Sequence, residues 1–332
     1  MMLTRRRGLM AAMVAGLGLM LAAVPALSDD AGPLPSVTIG VQENGTVNWE
    51  LQAIRDRGLD HANGFRLEVL GLAGSQATQI AMQGGQVDVI VSDWLWVAMQ
   101  RGAGAPFTFW PYSTAVGAVV VPADSPAQSL SDLEGQAIGI AGGPLDKSWL
   151  ILRAWHRQET GRDLADVTQQ VYGAPPIIQN AAETGEVAGA INFWHFLAKM
   201  QAGGMRELVS VADAATGLGL DPATPLLGYV MRDSWVQANP ALAQGLARAS
   251  RQAKDLLAED DEAWAALRPM MNAGTDAEFQ ALRAGWLAGT PPEGPVDAAD
   301  AAALFALMAE LGGDELTGGL TELPEGLFWS GE

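Results

Sequence analysis

The 332-residue chain contains no cysteine and only three histidines. Without a thiol it has no disulfide, no thiolate metal site and no lipid attached to a cysteine. The histidines are isolated and lack zinc-site spacing, and neither a G-x-S-x-G elbow nor a G-x-G-x-x-G motif after a strand occurs. We therefore expect no catalytic residues, no metal site and no cofactor.

Positive charge is also scarce, because 19 lysines and arginines face 38 aspartates and glutamates. The net charge of −19 argues against binding to nucleic acid or to anionic membranes. The segment GIAGGPLDKS is similar to a phosphate-binding loop, but Ala141 and Asp146 occupy the two positions that require glycine. We set this motif aside.

The first 28 residues have the pattern of a cleavable signal peptide. A basic stretch at residues 5–7 precedes an apolar run at 9–23, and Ala26-Leu27-Ser28 supplies small residues for cleavage. We predict cleavage near Ser28 and export to the periplasm, either by the general secretion route or by the twin-arginine route. Removing three arginines and no acidic residue would bring the net charge from −19 to −22.

One segment recurs at an offset of one hundred residues. GGQVDVIVSDWLWVAMQRGAG (84–104) matches TGEVAGAINFWHFLAKMQAGG (184–204), so that Gly85 corresponds to Gly185 and Trp94 to Trp194. Two copies are too few for a solenoid, and they predict two similar lobes that face each other across a cleft. One difference is that Asp88 corresponds to Ala188, which we expect to change a local turn.

Short apolar runs alternate with helical patterns, which is typical of doubly wound α/β units. The predicted strands of the first copy cover residues 37–41, 67–70, 87–91 and 117–121, and those of the second cover 137–140, 167–171, 187–191 and 227–231. Proline-rich segments at 121–126 and 221–225 predict two crossings between lobes. We assign residues 29–122 and 226–332 to lobe 1 and residues 123–225 to lobe 2.

These features resemble a known family. The signal peptide, QGGQVDV before an aromatic helix start, the crossing VPADSPAQSLSDLEGQAIGIAGG and the second GEV copy are similar to periplasmic binding proteins of nitrate/sulfonate/taurine-type ABC importers. The segments SDWLWVAMQ, GPLDKSWLILRAW and INFWHFLAKM resemble a subgroup encoded beside quinoprotein alcohol dehydrogenases. The resemblance implies a monomer of type II periplasmic binding protein architecture with a hinge, and it implies separate permease and ATPase partners.

Ligands of open α/β sheets bind beyond the carboxyl ends of the strands. The candidate ligand-binding residues in the loops at those ends, and beside the first crossing, are Gln42, Glu43, Asn44, Trp49, Ser75, Ser92, Asp93, Trp94, Tyr112, Asp146, Lys147, Asn192 and Trp194. Structural roles compete with these assignments, because buried tryptophans are usually core residues and Asp93 or Asp146 would be a good helix cap. His195 is a further candidate, with a structural role favoured.

The aromatic and acidic side chains in this set favour a neutral or cationic organic solute, held by stacking and cation–π contacts. An oxyanion held by backbone amides at residues 74–76 or 142–143 is the competing hypothesis, and a metal ion is a third. The predicted function is capture of a small molecule for an ABC importer. The alternatives are an auxiliary factor for a quinoprotein dehydrogenase and an enzyme on the same fold, similar to a pyrimidine-precursor synthase.

Overall fold

The computed structural model describes residues 32–331, which form two five-stranded sheets surrounded by helices. The predicted signal peptide lies outside the described residues. The strands are β1 (Ser36–Gln42), β2 (Arg66–Leu72), β3 (Val89–Asp93), β4 (Phe107–Ser113), β5 (Ala118–Val121), β6 (Ala137–Ala141), β7 (Gln169–Gly173), β8 (Gly189–Asn192), β9 (Arg206–Ser210) and β10 (Leu227–Arg232).

The helices follow the strands of each sheet in a regular alternation and then continue without strands to the C-terminus. They are α1 (Val47–Asp56), α2 (Leu59–Ala62), α3 (Ser75–Gln83), α4 (Trp94–Gly102), α5 (Lys147–Thr160), α6 (Leu164–Val167), α7 (Pro175–Glu183), α8 (Trp194–Ala202), α9 (Val211–Gly217), α10 (Asp233–Ala238), α11 (Pro240–Glu259), α12 (Asp261–Leu267), α13 (Asp276–Ala288) and α14 (Ala298–Thr317). Among these described helices, none is both long enough and apolar enough to cross a membrane.

The two sheets have the same topology, which confirms the predicted two-lobe α/β fold. Lobe 1 carries the sheet ordered β2-β1-β3-β10-β4, and lobe 2 carries the sheet ordered β7-β6-β8-β5-β9. In each sheet three neighbouring strands pair in parallel, and β10 or β5 is antiparallel to both of its neighbours. The edge strand beyond it, β4 or β9, therefore runs in the same direction as the first three. The antiparallel strands are those next to the crossings, since β5 enters the second sheet and β10 returns to the first.

The chain enters lobe 2 earlier than the predicted boundary at residue 122. Strand β5 pairs with β8 and β9, and Val119 lies opposite both Ile191 and Val209. The crossing is therefore the segment between Ser113 and Ala118, and not the proline-rich stretch after Val121. Strand β4 was not predicted, because it contains Pro111. A strand at the edge of a sheet tolerates proline, and β4 occupies such an edge.

The helices after β10 contact both lobes. Helix α11 packs on α1 and α2 of lobe 1, whereas α13 packs on α8 of lobe 2 and α14 contacts both α4 and α5. We expected this segment to belong to lobe 1. Its first long helix lies there, while α13 and α14 extend across the boundary and tie the lobes together.

A tryptophan-rich core cluster lies where the C-terminal helices meet both lobes. Trp264 on α12 packs edge to face on Trp49 of α1 (6.4 Å between ring centroids) and on Trp286 of α13 (5.5 Å). Ala198 of α8 belongs to the same cluster. Such aromatic pairs add about 0.5–1.5 kcal/mol beyond the apolar area that they bury.

Candidate functional site

Six loops follow the carboxyl ends of the parallel strands, three in each lobe. Each leads directly into a helix N-terminus, where free backbone N–H groups and the helix dipole favour polar or anionic partners. The loops connect β1 to α1, β2 to α3 and β3 to α4 in lobe 1, and β6 to α5, β7 to α7 and β8 to α8 in lobe 2. We call these the cleft loops.

An ion pair joins the two sets of cleft loops. Nζ of Lys147, the first residue of α5, donates to Oδ2 of Asp93 at 3.2 Å. Asp93 is the N-cap of α4, and its other oxygen accepts from the backbone N–H of Trp96 at 3.0 Å. The carboxylate of Asp93 raises the pKa of Lys147, and burial opposes this effect. The pair places the start of α4 in lobe 1 against the start of α5 in lobe 2.

Asp146 caps α5 one residue earlier. Its Oδ1 accepts from the backbone N–H of Trp149 at 3.1 Å, which confirms the capping role. Burial raises the pKa of Asp146 to about 6, against the lowering effects of that hydrogen bond and of Lys147. Gly142 and Gly143 form the preceding turn with φ of 88° and 93°. A Cβ atom at position 142 would also lie 3.0 Å from Oδ2 of Asp146. The positive φ and this close approach are therefore two separate reasons for glycine at this position.

The loop between β1 and α1 is held by its own side chains. Nδ2 of Asn48 donates to the carbonyl oxygens of Gln42 and Gly45, both at 2.8 Å. Gln42, Glu43 and Asn44 remain exposed. Three predicted residues at this end of β1 therefore present polar side chains to solvent.

The other predicted polar residues divide into exposed and structural ones. Ser75 is exposed at the start of α3, whereas Ser92 is buried and its Oγ accepts from Nε2 of Gln79 at 3.4 Å. Asn192 is 1% exposed, and its side chain bonds the carbonyl of Pro175 and the backbone N–H of Phe193. Asn192 thus fixes the turn between β8 and α8 and has no group left for a solute.

Two of the predicted aromatic residues, Trp94 and Tyr112, are interior residues, and so is Trp149, the counterpart of Trp49 in the repeat. Trp94 and Trp149 are 0% and 1% exposed, and Nε1 of Trp94 donates to the carbonyl of Pro225 at 3.0 Å. Tyr112 is also buried, inside lobe 1, where its Oη accepts from Nε1 of Trp286 at 3.3 Å. These rings are covered because each belongs to the packing between a sheet and its helices.

Trp49 and Trp194 meet where the lobes meet. Their rings are edge to face with centroids 5.9 Å apart, so that α1 of lobe 1 touches α8 of lobe 2. Trp194 also packs on Gly285 of α13, where a Cβ atom would lie 2.9 Å from the indole. Trp49 is buried and Trp194 half-buried, so both mainly serve contact between the lobes.

Two exposed aromatic residues at the carboxyl ends of lobe 2 strands were missed. Tyr172 is the penultimate residue of β7 and is 43% exposed, and Phe193 is the N-cap of α8 and is 41% exposed. Tyr172 lies near the carboxyl end of β7, and Phe193 directly follows the carboxyl end of β8. Phe193 stands where lobe 1 has Asp93, so the repeat marks its position but not the exposure of its ring.

His195, next to Phe193, is not a satisfied structural histidine. Its buried Nδ1 has no hydrogen-bond partner within residues 32–331. Burial lowers the pKa of His195 to about 4, and nearby Lys199 adds to this effect, so the ring is neutral at pH 7. It is therefore a polar group near the cleft that the fold itself leaves unused. No cluster of three His, Asp or Glu side chains suitable for a metal ion occurs within the same residues.

A separate buried network lies inside lobe 1, below the cleft loops. Glu50 of α1 and Lys254 of α11 are 0% and 4% exposed and form a direct ion pair. Glu50 also accepts from the hydroxyls of Tyr229 (2.7 Å) and Ser250 (2.5 Å). Burial lowers the pKa of Lys254 while Glu50 opposes the shift. Lys254 lies 4.8 Å above the ring of Tyr112.

The model of the family described as "NMT1/THI5 like" matches residues 55–263, more than half of the chain. The chain belongs to the NMT1/THI5-like family. A search of curated proteins gives no match.

Solved structures share the fold at low identity. The periplasmic aliphatic sulphonate binding protein SsuA from Escherichia coli is similar with a TM-score of 0.67 at 20% identity, covering 85% of this chain and 94% of that one. The alkanesulfonate-binding protein SsuA from Xanthomonas axonopodis pv. citri, bound to MOPS, has a TM-score of 0.60 at 17% identity, covering 90% and 97%. The desulfurization enzyme DszB has a TM-score of 0.60 at 15% identity, covering 88% and 95%.

Proposed function

We propose that this NMT1/THI5-like chain is the exported solute-binding component of an ABC importer. The observations that carry the proposal are the two contacts between the first turns of helices from opposite lobes, Asp93–Lys147 and Trp49–Trp194. The relatives named as binding proteins of this fold support the same role. The permease and the ATPase would be separate chains, and the signal peptide would direct the mature protein to the periplasm.

The mechanism would be closure of the lobes on the solute. A solute favours the closed state only to the extent that it interacts with that state more strongly than with the open one. The cleft loops supply such contacts from both sides, because Glu43 and Ser75 are exposed on lobe 1 while Tyr172 and Phe193 are exposed on lobe 2. The pairs Asp93–Lys147 and Trp49–Trp194 would hold the closed state.

We propose a neutral or cationic organic solute. Lys147 is the one lysine or arginine in the six cleft loops, all of which the structure describes, and its charge is already matched by Asp93. A sulfonate would have to compete with that carboxylate for its cation. An amine would instead find the exposed rings of Tyr172 and Phe193 and the carboxylate of Glu43, with cation–π contacts worth roughly 0.5–2 kcal/mol each.

The first experiment is native mass spectrometry of the full chain purified from the envelope of its own host. A small molecule released on denaturation would identify the solute class directly. Because the desulfurization enzyme DszB shares the fold, the same preparation should be incubated with the released compound. Chemical conversion of the compound would contradict the transport role.

A titration with matched variants then tests the proposed cleft. Tyr172→Ala and Phe193→Ala should weaken binding of an aromatic amine by about 2- to 30-fold, which corresponds to roughly 0.5–2 kcal/mol. Met270→Ala is the control, since Met270 is 39% exposed on a turn outside the cleft loops. Tight sulfonate binding that needs Lys147 and survives both aromatic substitutions would overturn the proposed solute class.

A further inference from the structure

A second pocket lies on lobe 1. A cavity of ≈ 450 Å³ is bounded by β4, by α11, by residues 291–294 and by residues 330–331. None of its lining residues belongs to the six cleft loops. Its volume is in the range of about 300–1,000 Å³ that is usual for small-molecule sites. The pocket is thus large enough for a ligand of its own.

The charge balance of this pocket is the reverse of that of the chain. Arg248, Arg251 and Lys254 line it together with one acidic residue, Glu293. The whole chain has twice as many acidic as basic residues, 38 against 19. Asp255 and Glu50 pair with Arg251 and Lys254 but do not line the cavity, so cations outnumber acids among the side chains that face a ligand, which favours an anion.

Two of the three cations can accept an anion without breaking a strong interaction. Arg251 pairs with Asp255 at 2.6 Å on the exposed side of α11, and such i,i+4 pairs contribute only about 0.3–0.5 kcal/mol. Arg248 is exposed and uses its Nε for the side chain of Asn63 at 3.1 Å. Lys254 is buried beneath the pocket and already forms an ion pair with Glu50. The two guanidinium groups therefore form the available anion contact, and their planar shape matches a carboxylate.

The other lining residues are four polar ones (Gln244, Ser250, Gln252 and Ser330) and several apolar ones. Trp110 on β4 is half-buried and packs against the ring of Trp329 with centroids 5.2 Å apart. Pro291 and Pro292 line the cavity from the segment before α14. The apolar or aromatic part of a ligand would lie between Trp110 and the two prolines, while its acidic group contacts the two arginines. We propose that this pocket binds a small organic carboxylate with an apolar ring, independently of the solute in the cleft.

The test compares two probes of the same shape and opposite charge. Benzoate and benzylammonium are titrated into the full mature protein by calorimetry, and crystals are soaked in 4-bromobenzoate so that anomalous scattering from bromine locates it. Benzoate should bind and benzylammonium should not bind at this pocket. The double variant Arg248→Gln/Arg251→Gln should weaken benzoate binding at least tenfold, because it removes both guanidinium groups. The fold should stay intact, because Arg248 is exposed and Arg251 half-buried outside the apolar core.

Arg268→Gln is the matched control, since Arg268 is, like Arg251, a half-buried arginine with an acidic partner, here Asp276, and it lies outside the pocket. Benzoate affinity should not change in this variant or in Lys147→Met. The proposal fails if benzoate does not bind at millimolar concentration, or if its affinity survives the double substitution. It also fails if Lys147→Met abolishes benzoate binding, because the carboxylate would then occupy the cleft. The proposed cleft function does not depend on these outcomes.

Discussion

The two lobes share a topology but place different chemistry at the same position. Glu50 follows Trp49 in α1, and Leu150 follows Trp149 in α5. Both side chains are 0% exposed, yet Glu50 carries a buried ion pair with Lys254 while Leu150 packs in an apolar core. The reason is the neighbour on that face, since lobe 1 receives α11 against α1. The repeat preserves backbone architecture, and the C-terminal helices then differentiate the lobes.

The matched tryptophans show the same divergence. Trp94 is fully buried in lobe 1 and anchors the second crossing through Pro225. Trp194 is half-buried and contacts Trp49 of the other lobe and Gly285 of α13. One copy therefore stabilises its own lobe and the other joins two lobes. Sequence identity at equivalent positions does not imply an equivalent role.

The largest expected effect comes from breaking the Glu50–Lys254 ion pair of lobe 1, since lobe 2 has Leu150 at the position of Glu50. Lys254→Met leaves the carboxylate of Glu50 buried without its cation, and loss of one partner of such a pair costs about 3–5 kcal/mol. Urea denaturation followed by circular dichroism measures this change. The free energy of unfolding should fall by that amount.

The double variant Glu50→Leu/Lys254→Met gives lobe 1 the apolar chemistry of lobe 2. We expect it to recover most of the loss, because replacing a whole buried pair by apolar groups of similar size is often neutral. The hydroxyls of Tyr229 and Ser250 lose their acceptor and limit the recovery. A double variant less stable than Lys254→Met would contradict this account of the pair.

The second expected effect is a difference between the two tryptophans. Trp94→Ala removes a fully buried indole and its hydrogen bond and should cost about 3–5 kcal/mol of folding free energy. Trp194→Ala should cost roughly 1–2 kcal/mol less, because its ring is partly solvated before the change. Only Trp194→Ala should also increase the radius of gyration in small-angle scattering, as the contact between lobes loosens. Equal losses of stability and equal radii would contradict the distinction.

Sequence patterns predicted the fold better than the side-chain roles. The offset of one hundred residues and the alternation of strands and helices sufficed for two α/β lobes. They could not distinguish Trp94 from Trp194, because burial depends on α13, which packs on α8 from far along the chain. For the same reason Tyr172 and Phe193 were missed, since neither has a local signal that separates an exposed ring from a core ring.

A third, smaller effect concerns the turn where the repeat differs. Oδ2 of Asp88 accepts from the backbone N–H of Thr38 at 2.9 Å, while the backbone N–H of Asp88 donates to the carbonyl of Thr38. Ala188 keeps only the equivalent backbone bond, to Ala137. Asp88→Ala should therefore cost about 1 kcal/mol, the usual net contribution of one hydrogen bond. Hydrogen exchange should speed up at Thr38, and an unchanged rate there would count against the role of this side chain.

The last expected effect is a difference in pH dependence between the N-caps of α4 and α5, the two helices that the Asp93–Lys147 pair brings together. Asp93 faces Lys147, whereas burial raises the pKa of Asp146 to about 6, above the ordinary 3.8. A raised pKa means that the folded chain binds this proton more tightly than the unfolded chain. The stability contributed by the proton is therefore complete below about pH 4 and is lost as the pH rises through 6.

Asp146→Asn retains a capping oxygen but does not titrate. The free energy of unfolding of the wild type relative to the variant should thus fall between pH 4 and pH 7, measured by urea denaturation at intervals of one pH unit. Parallel curves for the two proteins would mean that Asp146 titrates in the folded chain as it does in the unfolded one.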